Sequence, residues 1–285
     1  MLLQIRLNDT IMKLPFTNEI EQVQIDVKGA HTDLHSGSFG GSFLNPIVAL
    51  TRLVASLHDP FTNKIAIEHF YDDVKELTEK ERAELDIVDD EAEAKKLGVS
   101  QMVGEAGYGT MERKTVRPTL ELIGIYGGFR DEGIKTVLPS EAHAKIVFRM
   151  VAGQDPDRVY SLLEKHIMDA SKHLAEGLHV TIQRVNPGAK AYTAVRDSIA
   201  FKLVESELTK LFGKEPLLKR SGGSVNAFAD FHTITELECY SFGFGEPDSY
   251  GHAPDERFRL SSLHRGQRAY LSIIMEAAQI LGHKY

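Results

Sequence analysis

Cysteine is almost absent: Cys239 stands alone in 285 residues. That excludes an intrachain disulfide and a zinc site built from cysteine thiolates, and it fits a reducing cytoplasm. Positive charge is in the minority, with 33 Lys and Arg against 41 Asp and Glu, a formal net charge of −8. Such a surface repels nucleic acid and anionic membranes, and no Lys/Arg cluster offsets it, so neither is an expected partner. Long apolar runs are missing too. None would span a bilayer, and the opening MLLQIRLNDTIMKLPF is too short and too interrupted by charge for a signal peptide or a membrane anchor. What remains is ordinary for a soluble globular protein, 42% hydrophobic and 26% charged. The length suits one large domain or two ordinary ones.

The patterning then divides the chain. Val23, Ile25 and Val27 alternate with polar neighbours and predict a half-buried strand. Asn45-Pro46 predicts a helix start, with Ile47, Leu50, Val54 and Leu57 at helical spacing before His58-Asp59-Pro60 ends it. From Phe61 to about Arg117 the chain is acidic and reads as a solvated insertion with short helical pieces. Strands follow at 119–125 and 144–151, then a helix from about Pro156 to Ala175 and a strand at 178–185. Strand–helix–strand–strand–helix–strand is the split βαβ order, a four-stranded antiparallel sheet with two helices on one face. Asn186-Pro187-Gly188 closes it. The last hundred residues predict a helix from about Asp197 to Phe212, a short strand at 239–242 and a final helix from about Leu260 to Leu281. That tail is apolar on several faces and thin for a core of its own.

Four places carry candidate chemistry, and each has a plain reading beside the functional one. TDLHSGSFGG puts His35 at the head of a loop of small residues, either an imidazole aimed outward or a capping histidine. In SYGHAPDERF, His252 stands before Asp255 and Glu256: a metal-binding histidine with nearby carboxylates, or an ordinary surface loop, which spacing alone favours. RSGGSVN offers Gly223 and Ser224 as a turn able to hold an anion, or a simple glycine turn. GIKTVLP feeds the strand carrying Arg149, whose planar guanidinium suits a carboxylate or faces solvent.

VKGAHTDLHSGSFGGSFLNP, GGFRDEGIKTVLPSEAHAKIVFRMV, KRSGGSVNAF and GHAPDERF, in that order, resemble the M20 family of metallopeptidases, in its carnosinase-like cytosolic dipeptidase branch. The resemblance runs from about Val23 to the C-terminus. It implies an α+β chain: a split βαβ (ferredoxin-like) lid and dimerisation domain over 23–188, with the acidic insertion at about 61–117, and the C-terminal portion of an α/β zinc-peptidase catalytic domain over 189–285. Residues 1–22 are an atypical N-terminal segment. By the resemblance, His252 is the final zinc ligand. His35 reaches into the partner subunit's active site to stabilise the developing oxyanion. Thr136 and Arg149 hold the substrate's C-terminal carboxylate and neighbouring groups, and Ser224, with Gly223 before it, forms a substrate-binding turn.

The departures from the family pattern are as informative. The family places two zinc ions on a His-x-Asp motif, a bridging aspartate, a Glu-Glu pair and a further carboxylate, all ahead of the lid. This chain contains no Glu-Glu pair, and its His31-Thr32-Asp33 lies inside the lid motif, where we read the spacing as coincidence. One ligand cannot hold two zincs, and the general base belongs to the missing pair. The expectation is therefore an incomplete or split dipeptidase, inactive alone, homodimeric through its lid and dependent on a separate N-terminal half. Zinc is the implied metal, with manganese equally acceptable to a carboxylate-rich site. The alternative is a non-catalytic dimerisation or binding module derived from the lid.

Overall fold

The computed structural model describes residues 11–14, 19–83, 85, 88–186, 188, 198–220, 226–246, 249 and 254–282. Along the chain run β1 (Ile11–Leu14), β2 (Glu19–Lys28), β3 (Leu34–His35), α1 (Ser36–Phe39), α2 (Pro46–Ala55), α3 (Glu79–Ala83), α4 (Asp90–Leu97) and α5 (Thr110–Thr115). Then come β4 (Thr119–Gly127), β5 (Val137–Leu138), β6 (Glu141–Met150), α6 (Pro156–Leu174), β7 (His179–Asn186) and α7 (Ile199–Phe212). The chain ends in β8 (Leu217–Arg220), α8 (Asn226–Thr235), β9 (Ser241–Gly243) and α9 (Leu260–Gly282). No helix among the described residues is long and apolar enough to cross a membrane.

Two units share these elements: Asn18–Thr78 with Val103–Ala191, and Met1–Thr17 with Glu79–Met102 and Tyr192–Tyr285. The first is built on the sheet β4-β6-β2-β7, antiparallel throughout. It is the split βαβ arrangement, with α2 and α6 against one face. Both helices begin as the sequence predicts. Asn45 Oδ1 accepts from Ile47 N at 2.8 Å ahead of Pro46, and Asp155 Oδ1 accepts from Asp157 N at 3.0 Å ahead of Pro156. Side chains that cap here satisfy amides that have no partner in the first turn. Val23, Ile25 and Val27 point into the core with Ala144, Ile146 and Phe148 from β6, Leu50 and Leu53 from α2, and Val159, Leu163 and Ile167 from α6. Each fully buried large side chain contributes about 1.5–3 kcal/mol.

Two readings from the sequence need correction. Helix α2 stops at Ala55, short of Leu57, and His58 instead bridges to Ile65. The stretch from Phe61 to Arg117 is not merely solvated, because Ile65, Ile67 and Phe70 join the core. Further along, Arg117 is buried at 6% side-chain exposure with a bidentate grip on Glu105 (2.9 and 2.7 Å) and a third bond to Glu76 at 2.8 Å. Its guanidinium stacks 4.0 Å from the Tyr108 ring centre and 4.8 Å from that of Tyr71. The acidic residues there neutralise one buried cation, which charge counting alone cannot reveal.

The second unit holds the sheet β8-β1-β9, with β1 parallel to β8 and antiparallel to β9. Lys219 and Arg220, just ahead of the Gly223 turn in the sequence, lie in β8. Helix α7 is capped by Ser198 and ends at Gly213 in the left-handed conformation, φ 74°, as its sequence predicts. Helix α9 packs against α7, whose Phe201, Val204 and Leu208 are buried. Ser262 and Ala269 are fully buried, and Ser272 donates to Glu207 at 2.6 Å.

Candidate functional site

His35 ends the two-residue strand β3, which pairs antiparallel with β5 so that His35 faces Val137. A second tie joins Ser36 N to Thr136 O at 3.0 Å. Asp33 fastens the base of this ribbon, its Oδ1 accepting from Ser140 N at 3.0 Å and Ser140 Oγ at 3.2 Å. The aspartate of the HTD triplet is thus occupied in holding the ribbon. His35 and Thr136 are both exposed and sit side by side on this projection.

The small residues after His35 form one helical turn, α1, rather than an open loop. His35 caps it: Nδ1 accepts from Gly37 N at 3.1 Å, which leaves the ring proton on Nε2, a donor on the outward side. Gly37 is required by that ring, since a Cβ there would lie 2.8 Å from His35 Cε1. Gly41, at φ 80°, turns the chain towards α2 in a conformation that side chains rarely adopt.

Arg149 lies half-buried near the far end of β6, paired with Ile20 on β2 and Thr119 on β4. It occupies the face of the sheet opposite the helices. From Glu141, beside the His35 ribbon, to Arg149 is a strand run of roughly 25 Å at about 3.3 Å per residue. The structure therefore brings His35 and Thr136 together and sets Arg149 apart from them. Gly223, Ser224 and His252 lie outside the described residues.

Between the two ends, the same face carries a polar group that sequence reasoning missed. His143 donates through Nδ1 to Asp26 Oδ1 at 2.6 Å, and Gln24 Nε2 donates to the same oxygen at 2.8 Å. The His143 ring stacks on Tyr126 with centres 4.7 Å apart. Asp26 and His143 are 117 residues apart, and only the pairing of Asp26 with His143 across β2 and β6 unites them. Strand alternation puts each on the face opposite the helices, but register had to be known before the pair was visible.

Strand β4 forms one edge of the sheet, and its outward Leu122, Ile123 and Ile125 are exposed. In the second unit, β9 and α9 border an open groove of about 830 Å³ lined by Phe242, Phe244, Phe258, Leu263, Tyr270 and Leu271. Among the described residues there is no group of three or more His, Cys, Asp or Glu side chains able to hold a metal ion. The described residues by themselves therefore do not make up a zinc site.

Residues 22–175 match the peptidase dimerisation domain of the M20 family. The Cys-Gly metallodipeptidase dug1 of Schizosaccharomyces pombe is 26% identical over 258 residues, covering 90% of this chain and 54% of that protein. The human Beta-Ala-His dipeptidase is 26% identical over 261 residues, covering 90% and 50%. Among solved structures, the M20 family metallo-carboxypeptidase Sso-CP2 of Sulfolobus solfataricus superposes with a TM-score of 0.78 at 26% identity, over 93% of this chain and 59% of that one. The Saccharomyces cerevisiae dipeptidase Dug1p shares the fold, with a TM-score of 0.76 at 24% identity over 93% and 55%. The chain spans about half the length of the curated relatives it matches.

Proposed function

The chain belongs to the M20 peptidase family, and we propose that it supplies the lid and C-terminal part of a metal-dependent dipeptidase of the Cys-Gly or carnosinase kind, working as a homodimer. The observation that carries this reading is the separation of His35 and Thr136 from Arg149. A dipeptide extends about 7 Å, so one chain cannot offer both ends of β6 to a single substrate. Two chains can. In that arrangement the His35 Nε2–H, with Thr136 beside it, stabilises the oxyanion in a partner's site, while Arg149 takes the substrate's free carboxylate in its own. His252, Ser224 and Gly223 fill the family roles of metal ligand and substrate turn in this reading. Zinc, or manganese, would be held by His252 together with ligands of the kind the family places ahead of the lid, and the polypeptide of these 285 residues is expected to be inactive by itself. A cytoplasmic setting suits the single cysteine.

The exposed apolar residues of the β4 edge support a dimer through the lid, because an open strand edge with such side chains invites pairing. Sedimentation velocity tests this: the chain sediments as a dimer, and Ile125→Lys shifts it to monomer. Dipeptide hydrolysis assays test the rest. The purified chain with zinc or manganese gives no turnover of Cys-Gly or β-Ala-His, and turnover typical of an M20 enzyme would overturn the claim of incompleteness. A second reading is a non-catalytic dimerisation or binding module derived from the lid, which the match of residues 22–175 to a peptidase dimerisation domain supports. Calorimetric binding of two zinc ions per chain would exclude it.

A further inference from the structure

Glu21 faces the helices from β2 and is fully buried, with no aligned hydrogen bond to either carboxylate oxygen among the described residues. Arg184 on β7 approaches Glu21 Oε1 to 2.9 Å through Nε. The same guanidinium donates through Nη1 to Asp157 Oδ1, a carboxylate at 86% exposure in the first turn of α6. One cation is thus divided between a buried anion and a surface anion. Asp155 adds a third negative charge at the cap of α6, and the Arg184 guanidinium lies 5.3 Å from the centre of the Tyr160 ring. On the other side Glu21 pairs with Phe148 of β6. The site lies where the ladder slips: Val23 pairs with Arg184 but Gln22 with Asn186, so Val185 bulges. In sequence, Glu21 lies three residues after Asn18 and Arg184 seven before Ala191, the first and last residues of this unit.

We propose that Glu21, Arg184 and Asp157 form a proton-linked clasp at the root of the lid, in which ionisation of Glu21 loosens the pairing of β2 with β7. The protonated carboxyl is tolerated in the core, whereas the carboxylate is disfavoured there and must compete with Asp157 for Arg184. Local opening hydrates Glu21 and returns it to ordinary acidity, so opening is coupled to proton release. Burial pushes Glu21 from 4.5 up to about 7, against the pull of Arg184 and with Asp157 and Asp155 adding to the rise. The switch therefore works close to neutral pH.

Hydrogen exchange of the full chain, corrected for intrinsic rates, tests the clasp at residues 19–23 and 183–186. Opening there rises by up to roughly tenfold per pH unit between pH 5 and 7 and then levels off. Glu21→Gln abolishes the rise. Asp157→Asn, which frees Arg184 for Glu21, moves the midpoint to lower pH and reduces opening at pH 8. A merely structural ion pair would weaken on that substitution instead. Carboxyl-carbon NMR titration of Glu21 in the unaltered chain gives a midpoint near 7 and requires no variant. An ordinary carboxylate midpoint, or the same exchange profile in Glu21→Gln, would overturn the proposal.

Discussion

The sheet of the first unit and helix α9 of the second use apolar side chains in opposite ways. In the lid, the sheet turns Val23, Ile25, Ile146 and Phe148 inward against two helices, and these residues are fully buried or nearly so. In the C-terminal unit, α9 buries Ser262 and Ala269 and leaves Leu271, Ile274 and Met275 exposed. Small residues let a helix approach its neighbour closely, but they remove little apolar area from water. The lesson is that α9, the longest helix among the described residues, removes far less apolar area from water than its apolar content suggests, whereas β2 and β6 of the first unit remove most of theirs.

The sharpest way to break this comparison is to truncate one large side chain in each unit. Phe148→Ala in the lid costs about 4 kcal/mol through lost burial and a residual cavity, read from urea denaturation. Leu271→Ala, at 61% exposure, changes stability by about 0.5 kcal/mol or less. Equal costs would show that α9 is buried in solution. Next in size is Arg117→Met, which strands Glu105 and costs about 3 kcal/mol, seen as a lower urea midpoint. Were the 61–117 stretch only a solvated insertion, the change would be near zero.

Glu21→Gln sharpens the picture through pH. The folded state holds Glu21 at about 7 against 4.5, so its contribution is fully present below pH 4.5 and is lost as pH rises to 7. Replacement therefore stabilises the lid at pH 8 by about 2 kcal/mol, the shift less the cost of a buried amide, and does little at pH 4. His58 and His166 act in the other direction. Burial lowers both below 6.5, so their contribution is present above pH 6.5 and is lost as pH falls. Thermal melts of Glu21→Gln across pH 5–9 then peak at a higher pH than those of the parent chain. Smallest is Gly37→Ala, which costs about 1 kcal/mol yet displaces the His35 ring, visible as a shifted imidazole resonance.

Much of the lid was legible beforehand because its signals are local. Strand alternation, Asn45-Pro46 and Asp155-Pro156 each act within a few residues. His35 and Thr136 were legible as ordered motifs, but their adjacency depends on the β3–β5 pairing. What stayed hidden depends on long-range register. Nothing near Asp26 announces His143, and nothing near Arg117 announces Glu76. Glu21 reads as a polar residue at a strand's start, and only the fold shows it buried beneath α6.

The central claim is that His35 of one protomer and Arg149 of its partner share a site. Dipolar spin-label spectroscopy tests it directly, using Cys239→Ala chains carrying His35→Cys in one protomer and Arg149→Cys in the other. The account predicts a distance between protomers clearly shorter than the roughly 25 Å that separates the two positions along β6 within a chain. A distance between protomers as long as that, or the absence of any dipolar signal because the chain is monomeric, would contradict it.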